Sequence, residues 1–288
     1  MLISARITGA AETTDDNADA GLPWWSYGKT VLAAAAFKLA EQGRLQLDTP
    51  LAGKPFTLRQ LLAHRAGVRD YGGLADYHLA VARRETAWPA DDLLVRAKAD
   101  ELLFTPGQGW SYSNIGYLLV RREIERATDS ELRSALHATV FAPLGVHAFL
   151  ARTRDDMQRV LWPALHGYDP NWVYHGLIVG TAIDAARFLH RLFTGELLSD
   201  VSRRAMFDSV PLPFALPLDR PFIKPTPGTG LMIDPEGPFG PWFGHTGGGP
   251  GSVSAVYRFS AHDRTVAAFA DDEDGGAVER EVLRLAAP

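Results

Sequence analysis

Ser26 and Lys29 stand three residues apart in Trp-Trp-Ser-Tyr-Gly-Lys-Thr, directly ahead of an Ala/Leu-rich run with helical spacing. A serine hydroxyl is a weak nucleophile at neutral pH until a neighbouring base takes its proton. If Ser26 opens a helix, positions i and i+3 share a face, and the Lys29 amine lies beside the hydroxyl. Backbone N–H groups at the same helix start are unpaired and favour negative charge nearby. The segment therefore offers a nucleophile, a proton acceptor and a positive backbone field together. Ser-x-x-Lys is short enough to arise by chance, and Ser26 alone reads equally well as a helix N-cap.

Two further clusters lie downstream. Tyr112-Ser113-Asn114 stands in Pro-Gly-Gln-Gly-Trp-Ser-Tyr-Ser-Asn-Ile-Gly-Tyr, and His245-Thr246-Gly247 in Phe-Gly-His-Thr-Gly-Gly-Gly-Pro-Gly-Ser. Taken singly, Tyr112 reads as a packing aromatic and Asn114 as a cap for a helix beginning at Ile115. The glycine-rich run reads as a phosphate cradle, but Gly-Lys-Ser/Thr is absent and the run leads into a strand instead of a helix. In this order, Ser-x-x-Lys, Tyr-x-Asn and His-x-Gly resemble the penicillin-recognising serine hydrolases. The nearest branch holds class C β-lactamases, Streptomyces-type D-Ala-D-Ala carboxypeptidases, D-aminopeptidases and β-lactamase-like esterases. Connecting segments resemble it too: Glu41-Gln42-Gly43-Arg44-Leu45 with Leu47-Asp48, Thr57 to His64, Phe141-Ala142-Pro143-Leu144-Gly145, and Gly180-Thr181-Ala182 with Asp184 to Phe188. The likeness runs from about Pro23 to about Ala270.

The resemblance implies roles. Ser26 is the nucleophile that forms an acyl-enzyme, and Lys29 and Tyr112 exchange protons with it and with the leaving group. Asn114 hydrogen-bonds the substrate carbonyl or amide and holds Lys29. His245, Thr246, Gly247 and Gly248 form an edge strand along the cleft, where the Gly248 N–H joins that of Ser26 as an oxyanion hole. Each such donor is worth about 3–4 kcal/mol of barrier, and glycines let substrate approach the backbone closely. Lys29 follows Gly28 and precedes an apolar face, so partial desolvation lowers its pKa. Tyr112 can act as base only if its pKa falls well below about 10, which two nearby cations would achieve. Either residue is left as the general base.

Two departures from the family pattern stand out. Class C β-lactamases place lysine where this chain has His245. A lysine draws in a substrate carboxylate, whereas a histidine is mostly neutral at pH 7, which favours a peptidase or esterase over a dedicated β-lactamase. Relatives also carry a longer segment ahead of the Ser-x-x-Lys helix. Here 25 residues precede Ser26, so the sheet edge is expected to be shorter or completed differently.

The elements that must position these groups follow from periodicity. Leu2 to Thr8 reads as a strand, Glu12 to Ala20 as an acidic loop, and Ser26 to about Glu41 as a helix closed by Gly43. Helical spacing recurs over Leu58–His64, Asp91–Ala99, Asn114–Ala127, Leu132–Val140, Ala182–Phe193 and Val278–Ala286. Pro211 to Pro227 reads as an irregular excursion. Ser252–Phe259 and Thr265–Ala270 read as a hairpin. Strands at both ends with helices between predict an α/β (α+β) chain with one antiparallel sheet built from both ends and flanked by helices. The resemblance implies the same β-lactamase/transpeptidase-like fold. It divides the chain into an α/β sheet subdomain of 1–48 and 176–288 and a mostly helical inserted subdomain of 49–175, with the site in the cleft.

Composition sets the outer bounds. With 288 residues, 46% hydrophobic and 22% charged, the chain fits a globular protein with an ample core. A net charge of −5 and a pI near 6.0 argue against nucleic-acid binding. No cysteine is present, which excludes disulfides and thiol catalysis. The nine histidines contain no His-Glu-x-x-His, so neither a metal nor a cofactor is expected. No stretch approaches a membrane span and no leader is visible, so no membrane insertion and a cytoplasmic location are expected unless a leader was removed. Trp24, Trp25 and Trp110 wall the cleft or pack in the core; Tyr174 and His175 line the pocket by analogy; His64 reads as structural. The Gly109-Trp110-Ser111-Tyr112-Ser113 run lacks the last glycine of an α/β-hydrolase elbow. The expected function is a metal-independent serine hydrolase cleaving an ester or amide of a small molecule or short peptide, of esterase or D-amino-acid peptidase type. A β-lactamase is the runner-up, and a slowly acylating penicillin-binding-type sensor or scaffold is the non-enzyme alternative.

Overall fold

The main sheet takes its first strands from one end of the chain and its central strands from the other. A computed structural model describes residues 1–209 and 220–287. Strand β1 (Leu2–Thr8) is followed by β2 (Ala11–Thr14), β3 (Leu22–Pro23), β4 (Ala148–Ala151), β5 (Leu177–Gly180), β6 (Thr226–Pro227), β7 (Met232–Asp234), β8 (Trp242–Gly249), β9 (Ser252–Phe259) and β10 (Arg264–Ala270). Seven of them form an antiparallel sheet in the order β2-β1-β10-β9-β8-β7-β6, and β3-β5-β4 form a second small sheet. β9 and β10 are the expected hairpin, in register from Phe259↔Arg264 to Val253↔Ala270. The expected antiparallel α/β architecture is the one observed.

One expectation changes. Glu12 was expected to open a loop, but Ala11–Thr14 pairs with β1 from Thr8↔Ala11 to Ala5↔Thr14 and supplies the sheet edge. The strand is exposed at every residue, so no apolar alternation marks it. It is held instead by the Arg187 guanidinium, whose Nε and Nη2 donate to the Glu12 carboxylate at 2.9 and 2.6 Å. Gly9, with φ +57, makes the tight turn between the two strands.

Ten α-helices accompany the sheets among the described residues: α1 (Gly28–Glu41), α2 (Leu58–Leu62), α3 (Ala75–Ala82), α4 (Ala90–Arg96), α5 (Asn114–Thr128), α6 (Leu132–Leu136), α7 (Ala142–Leu144), α8 (Ala182–Thr194), α9 (Asp200–Ala205) and α10 (Gly275–Ala286). Helix α4 stops at Arg96, short of the expected Ala99, because Lys98 takes a left-handed conformation. The run expected to end at Val140 widens into a π turn over His137–Phe141 and continues as α7. Of the proline-rich tract, 211–219 lies outside the described residues, and Thr226–Pro227 forms β6.

The two sheet faces serve two cores. Val256, Ala267 and Phe269 belong to the large core with Ile3, Ala5, Ile7 and helix α8. Ala255, Tyr257, Val266 and Ala268 face a smaller core closed by Val278, Val282 and Ala286 of α10. That double coverage explains why β9 and β10 read as near-continuous apolar runs without alternation. Helix α1 is buried without interruption from Gly28 to Phe37. Its alanines let it lie inside the molecule, packed against α5.

At Gly244 of β8 a Cβ would fall 1.8 Å from the Val256 carbonyl oxygen of β9. Gly244→Ala should therefore destabilise by about 3 kcal/mol, the upper end for overpacking. Urea unfolding of both proteins measures it; equal midpoints would mean that the pairing is looser than described.

Candidate active site

The local backbone around the nucleophile is fixed from three sides. Trp24 donates its N–H to the Ile178 carbonyl of β5 at 2.8 Å. Trp25 adopts a left-handed conformation, φ +45, unusual for a bulky residue. Strain of this kind costs about 1–3 kcal/mol and persists only where the surroundings hold it. Here the Trp25 indole donates to Ser252 Oγ at 2.8 Å and holds the turn. Ser26 then sits in the middle of a 3₁₀ turn, Trp25–Tyr27, just ahead of α1. It thus precedes the α-helix instead of opening it. No side chain caps either helix start, so its hydroxyl is not spent on the backbone.

Around Ser26 Oγ the side chains form one continuous chain. Lys29 Nζ lies 3.0 Å from Ser26 Oγ and 2.7 Å from Asn114 Oδ1. The Tyr112 hydroxyl lies 2.8 Å from the same Ser26 oxygen. Lys29 is 0% exposed and its Nζ sits 4.9 and 5.7 Å from the ring centres of Tyr112 and Tyr117. Asn114 was expected to be a possible cap for the following helix, but Ser113 does that work: its Oγ accepts from the Gly116 N–H at 2.9 Å. The Asn114 side chain is free to turn to Lys29, and Asp70 sets which way it turns. Asp70 Oδ1 accepts the Asn114 backbone N–H at 2.8 Å and Oδ2 accepts its side-chain N–H₂ at 3.3 Å. The amide oxygen is left facing the amine.

The electrostatics separate the two candidate bases. Burial lowers the Lys29 pKa from 10.5 to about 7, opposed in part by the Asp70 charge. Tyr112 moves the other way, well above its ordinary range. Burial is the main cause, the Ser26 hydrogen bond opposes it, and the Asp70 charge adds to it. Tyr112 therefore does not meet the condition for a base, a pKa well below its ordinary value. His245 is held neutral, its pKa lowered by burial and by Lys29 to about 3. His64 is likewise neutral, for the same two reasons. Its ring stacks on Tyr112 at 4.5 Å between centres. Its Nδ1 accepts the Ser113 N–H at 3.1 Å and its carbonyl accepts that of Ser111 at 3.0 Å, so it clamps the backbone on both sides of Tyr112.

Strand β8 forms the opposite wall. It was expected to be an edge strand, but β7 pairs with it through Trp242–Gly244. From His245 onward that side has no strand partner among the described residues and runs along the Ser26 turn. Gly247 comes so close that a Cβ would lie 2.7 Å from the Ser26 nitrogen. His245 uses Nδ1 on the Thr246 carbonyl at 2.7 Å. Thr246 Oγ1 meets the Tyr257 hydroxyl at 2.8 Å and donates to the fully buried Glu279 carboxylate of α10, which Arg220 grips through Nε and Nη2. A substrate carboxylate at Thr246 would face this occupied ion pair.

The remaining candidates divide. Trp24 lies in the core against Tyr27, Phe141 and Phe188, while Trp25 and Trp110 line cavities beside Ser26. Tyr174 donates to the Trp88 carbonyl and faces a different depression with Arg121; His175 lines a cavity with Ser26. Asp70, Arg220, Tyr257 and Glu279 join the site without having been singled out. Among the described residues no cluster of His, Asp or Glu is placed to hold a metal ion, and no helix is long and apolar enough to cross a membrane.

Residues 11–287 match the family described as Beta-lactamase. Penicillin-binding protein 4* of Bacillus subtilis (strain 168) is 25% identical over 295 residues, covering 91% of this chain and 63% of its own length. Esterase EstB of Burkholderia gladioli is 30% identical over 146 residues, 42% of this chain and 36% of the esterase. The chain thus spans less than two thirds of the length of either relative. Among solved structures, a D-stereospecific amidohydrolase from Streptomyces sp. shares the fold with a TM-score of 0.82 at 23% identity, covering 98% of this chain and 93% of that one.

Burial of Lys29 has a thermodynamic signature. Between pH 7 and 9 the unfolded chain carries a proton on Lys29 that the native state has begun to lose, so stability rises with pH. The contribution reaches about 2 kcal/mol over those two units. Lys29→Met has no such titration, so its stability relative to the parent should fall as pH rises across this window. Urea unfolding at pH 7, 8 and 9 checks it, and parallel curves would show that Lys29 keeps its proton.

Proposed function

The chain belongs to the beta-lactamase family, and from that premise we propose that it hydrolyses an ester or amide through an acyl-enzyme on Ser26. The observation that carries this reading is the unbroken chain Tyr112–Ser26–Lys29–Asn114 around one buried amine. A neutral Lys29 presents a lone pair to the Ser26 proton, while its own N–H bonds to Asn114 Oδ1. Ser26 Oγ attacks the carbonyl carbon as its proton passes to Lys29. The developing oxyanion is met by the Ser26 and Gly248 N–H groups. The carbon–leaving-group bond then breaks as Tyr112 gives its proton to the departing oxygen or nitrogen and recovers one from Lys29. Water repeats the sequence on the acyl-enzyme and returns Ser26. In this assignment Lys29 is the general base and Tyr112 is the neutral acid, a division that follows from the opposite directions of their pKa shifts.

Substrate class follows from charge. His245 is neutral and Thr246 is engaged with Glu279, so the β8 wall offers little to a carboxylate. Esters and amides with uncharged leaving groups are therefore preferred to β-lactams and to D-Ala-terminated peptides. The likeness to an esterase and to a D-stereospecific amidohydrolase supports hydrolysis of this kind.

A fluorophosphonate probe tests the assignment. Intact mass should show one adduct on the parent and none on Ser26→Ala, and Lys29→Ala should slow labelling by about 10²-fold or more. Labelling that persists in Ser26→Ala would remove Ser26 from the mechanism.

A further inference from the structure

The cavity on the Tyr112 side of the nucleophile, about 340 Å³, takes one wall from strand β8 and the segment that begins at Arg220. Tyr112 touches Ser26 Oγ and faces this space. A group that departs with the Tyr112 proton therefore leaves along that wall. Two donors suited to an anion line it, the Thr246 hydroxyl and the Arg220 guanidinium. A guanidinium grips a carboxylate through two parallel N–H bonds, and a hydroxyl can add a third.

Both donors are already turned to a carboxylate, and it comes from the protein. Glu279 of α10 is 0% exposed, so it meets them from within the molecule. Arg220 donates Nε to one of its oxygens and Nη2 to the other, and Thr246 Oγ1 donates to the oxygen held by Nη2. A threonine hydroxyl has one hydrogen. Because that hydrogen is committed to Glu279, the 2.8 Å contact between Thr246 Oγ1 and Tyr257 is donated by the phenol. Burial, then the Glu279 charge, push the Tyr257 pKa well up and keep the phenol protonated. The order Tyr257, Thr246, Glu279 leaves Thr246 no hydrogen for a ligand. The Arg220 and Glu279 charges cancel. Of the other titratable side chains along the cavity, Tyr112, His64 and His245 are neutral and Glu273 is an exposed carboxylate.

We infer that Glu279 is a specificity-determining residue, an internal carboxylate that takes the donors a substrate carboxylate would use and thereby closes the site to acidic leaving groups. The inference rests on the acyl-enzyme reading above and names the residue that sets its substrate class. It requires the site to become acid-accepting when this one charge is removed, with His245 unchanged. Glu279→Gln keeps the side-chain volume and leaves the wall with the positive charge of Arg220. Its amide can donate to Thr246 Oγ1, which lets the threonine hydrogen turn to the cavity.

The test uses two esters that share an acetyl group and differ in the charge of the leaving group, 3-acetoxybenzoate and 3-acetoxybenzamide. The readout is the ratio of their kcat/KM values, in which a loss common to both substrates cancels. In Glu279→Gln the benzoate-to-benzamide ratio should rise about tenfold or more over the parent, the range of a hydrogen bond to a charged group. Glu279→Gln combined with Arg220→Gln should return it close to the parent value. An unchanged ratio in Glu279→Gln, or a gain that survives the loss of Arg220, would overturn the inference while leaving an ester-cleaving Ser26 intact. If the glutamine variant does not fold, the parent decides. After each kcat/KM is divided by the rate of the same ester with hydroxide, benzamide should exceed benzoate, and benzoate turned over as well or better would overturn the inference. Absence of all ester turnover together with absence of Ser26 labelling would remove the acyl-enzyme reading itself and this inference with it.

Discussion

An ammonium ion inside a protein loses most of its hydration, and Lys29 is held at 0% exposure between two tyrosine rings. Water no longer competes for the amine, so its protonation is decided by a few neighbours. Desolvation favours the neutral form, the Asp70 carboxylate favours the charged one, and the balance rests near pH 7. At that balance the amine can receive a proton in one step and release it in the next. Asn114 Oδ1 accepts one of its N–H groups, Ser26 Oγ lies 3.0 Å away as another acceptor, and Asp70 prevents the Asn114 amide from turning over. The surrounding structure is arranged to keep this group dry and correctly partnered.

Several unusual features follow from that constraint. Helix α1 must run through the interior to bury the amine, and its run of alanines makes this possible. Ser26 must reach out of the same segment, which requires the 3₁₀ turn and the left-handed Trp25. Glycines of β8 must then press against the turn, because a side chain at Gly247 would displace the Ser26 backbone. The Thr246–Glu279–Arg220 cluster neutralises the wall that would otherwise recruit anions. The proposed preference for uncharged substrates rests on this charge pattern.

Much of this was legible in the sequence where local order carried the information. The Ser26–Lys29 spacing implied proximity, strand signals at both chain ends implied an antiparallel sheet, and the family resemblance carried by the three motifs implied a shared cleft. The β9–β10 hairpin was visible because both strands are apolar with a polar turn between. The direction of the Tyr112 shift was not legible, since His64, whose ring lies 4.5 Å from that of Tyr112, comes from another segment. Asp70 carries no motif of its own; it matters only because folding brings it to Asn114. Glu279 reads as an ordinary charge on an amphipathic helix until Arg220 and Thr246 are placed against it. Strand β2 is fully exposed and owes its place to Arg187, which lies far away in sequence.

The central claim is that Lys29 titrates near neutrality in the free protein. Selective ¹³C labelling of lysine at Cε and an NMR titration of the Lys29 resonance, assigned by comparison with Lys29→Met, measure this directly. The predicted midpoint is about 7. A Lys29 midpoint at the ordinary lysine value of about 10.4 would contradict the account, because an amine that remains charged cannot take the proton of Ser26.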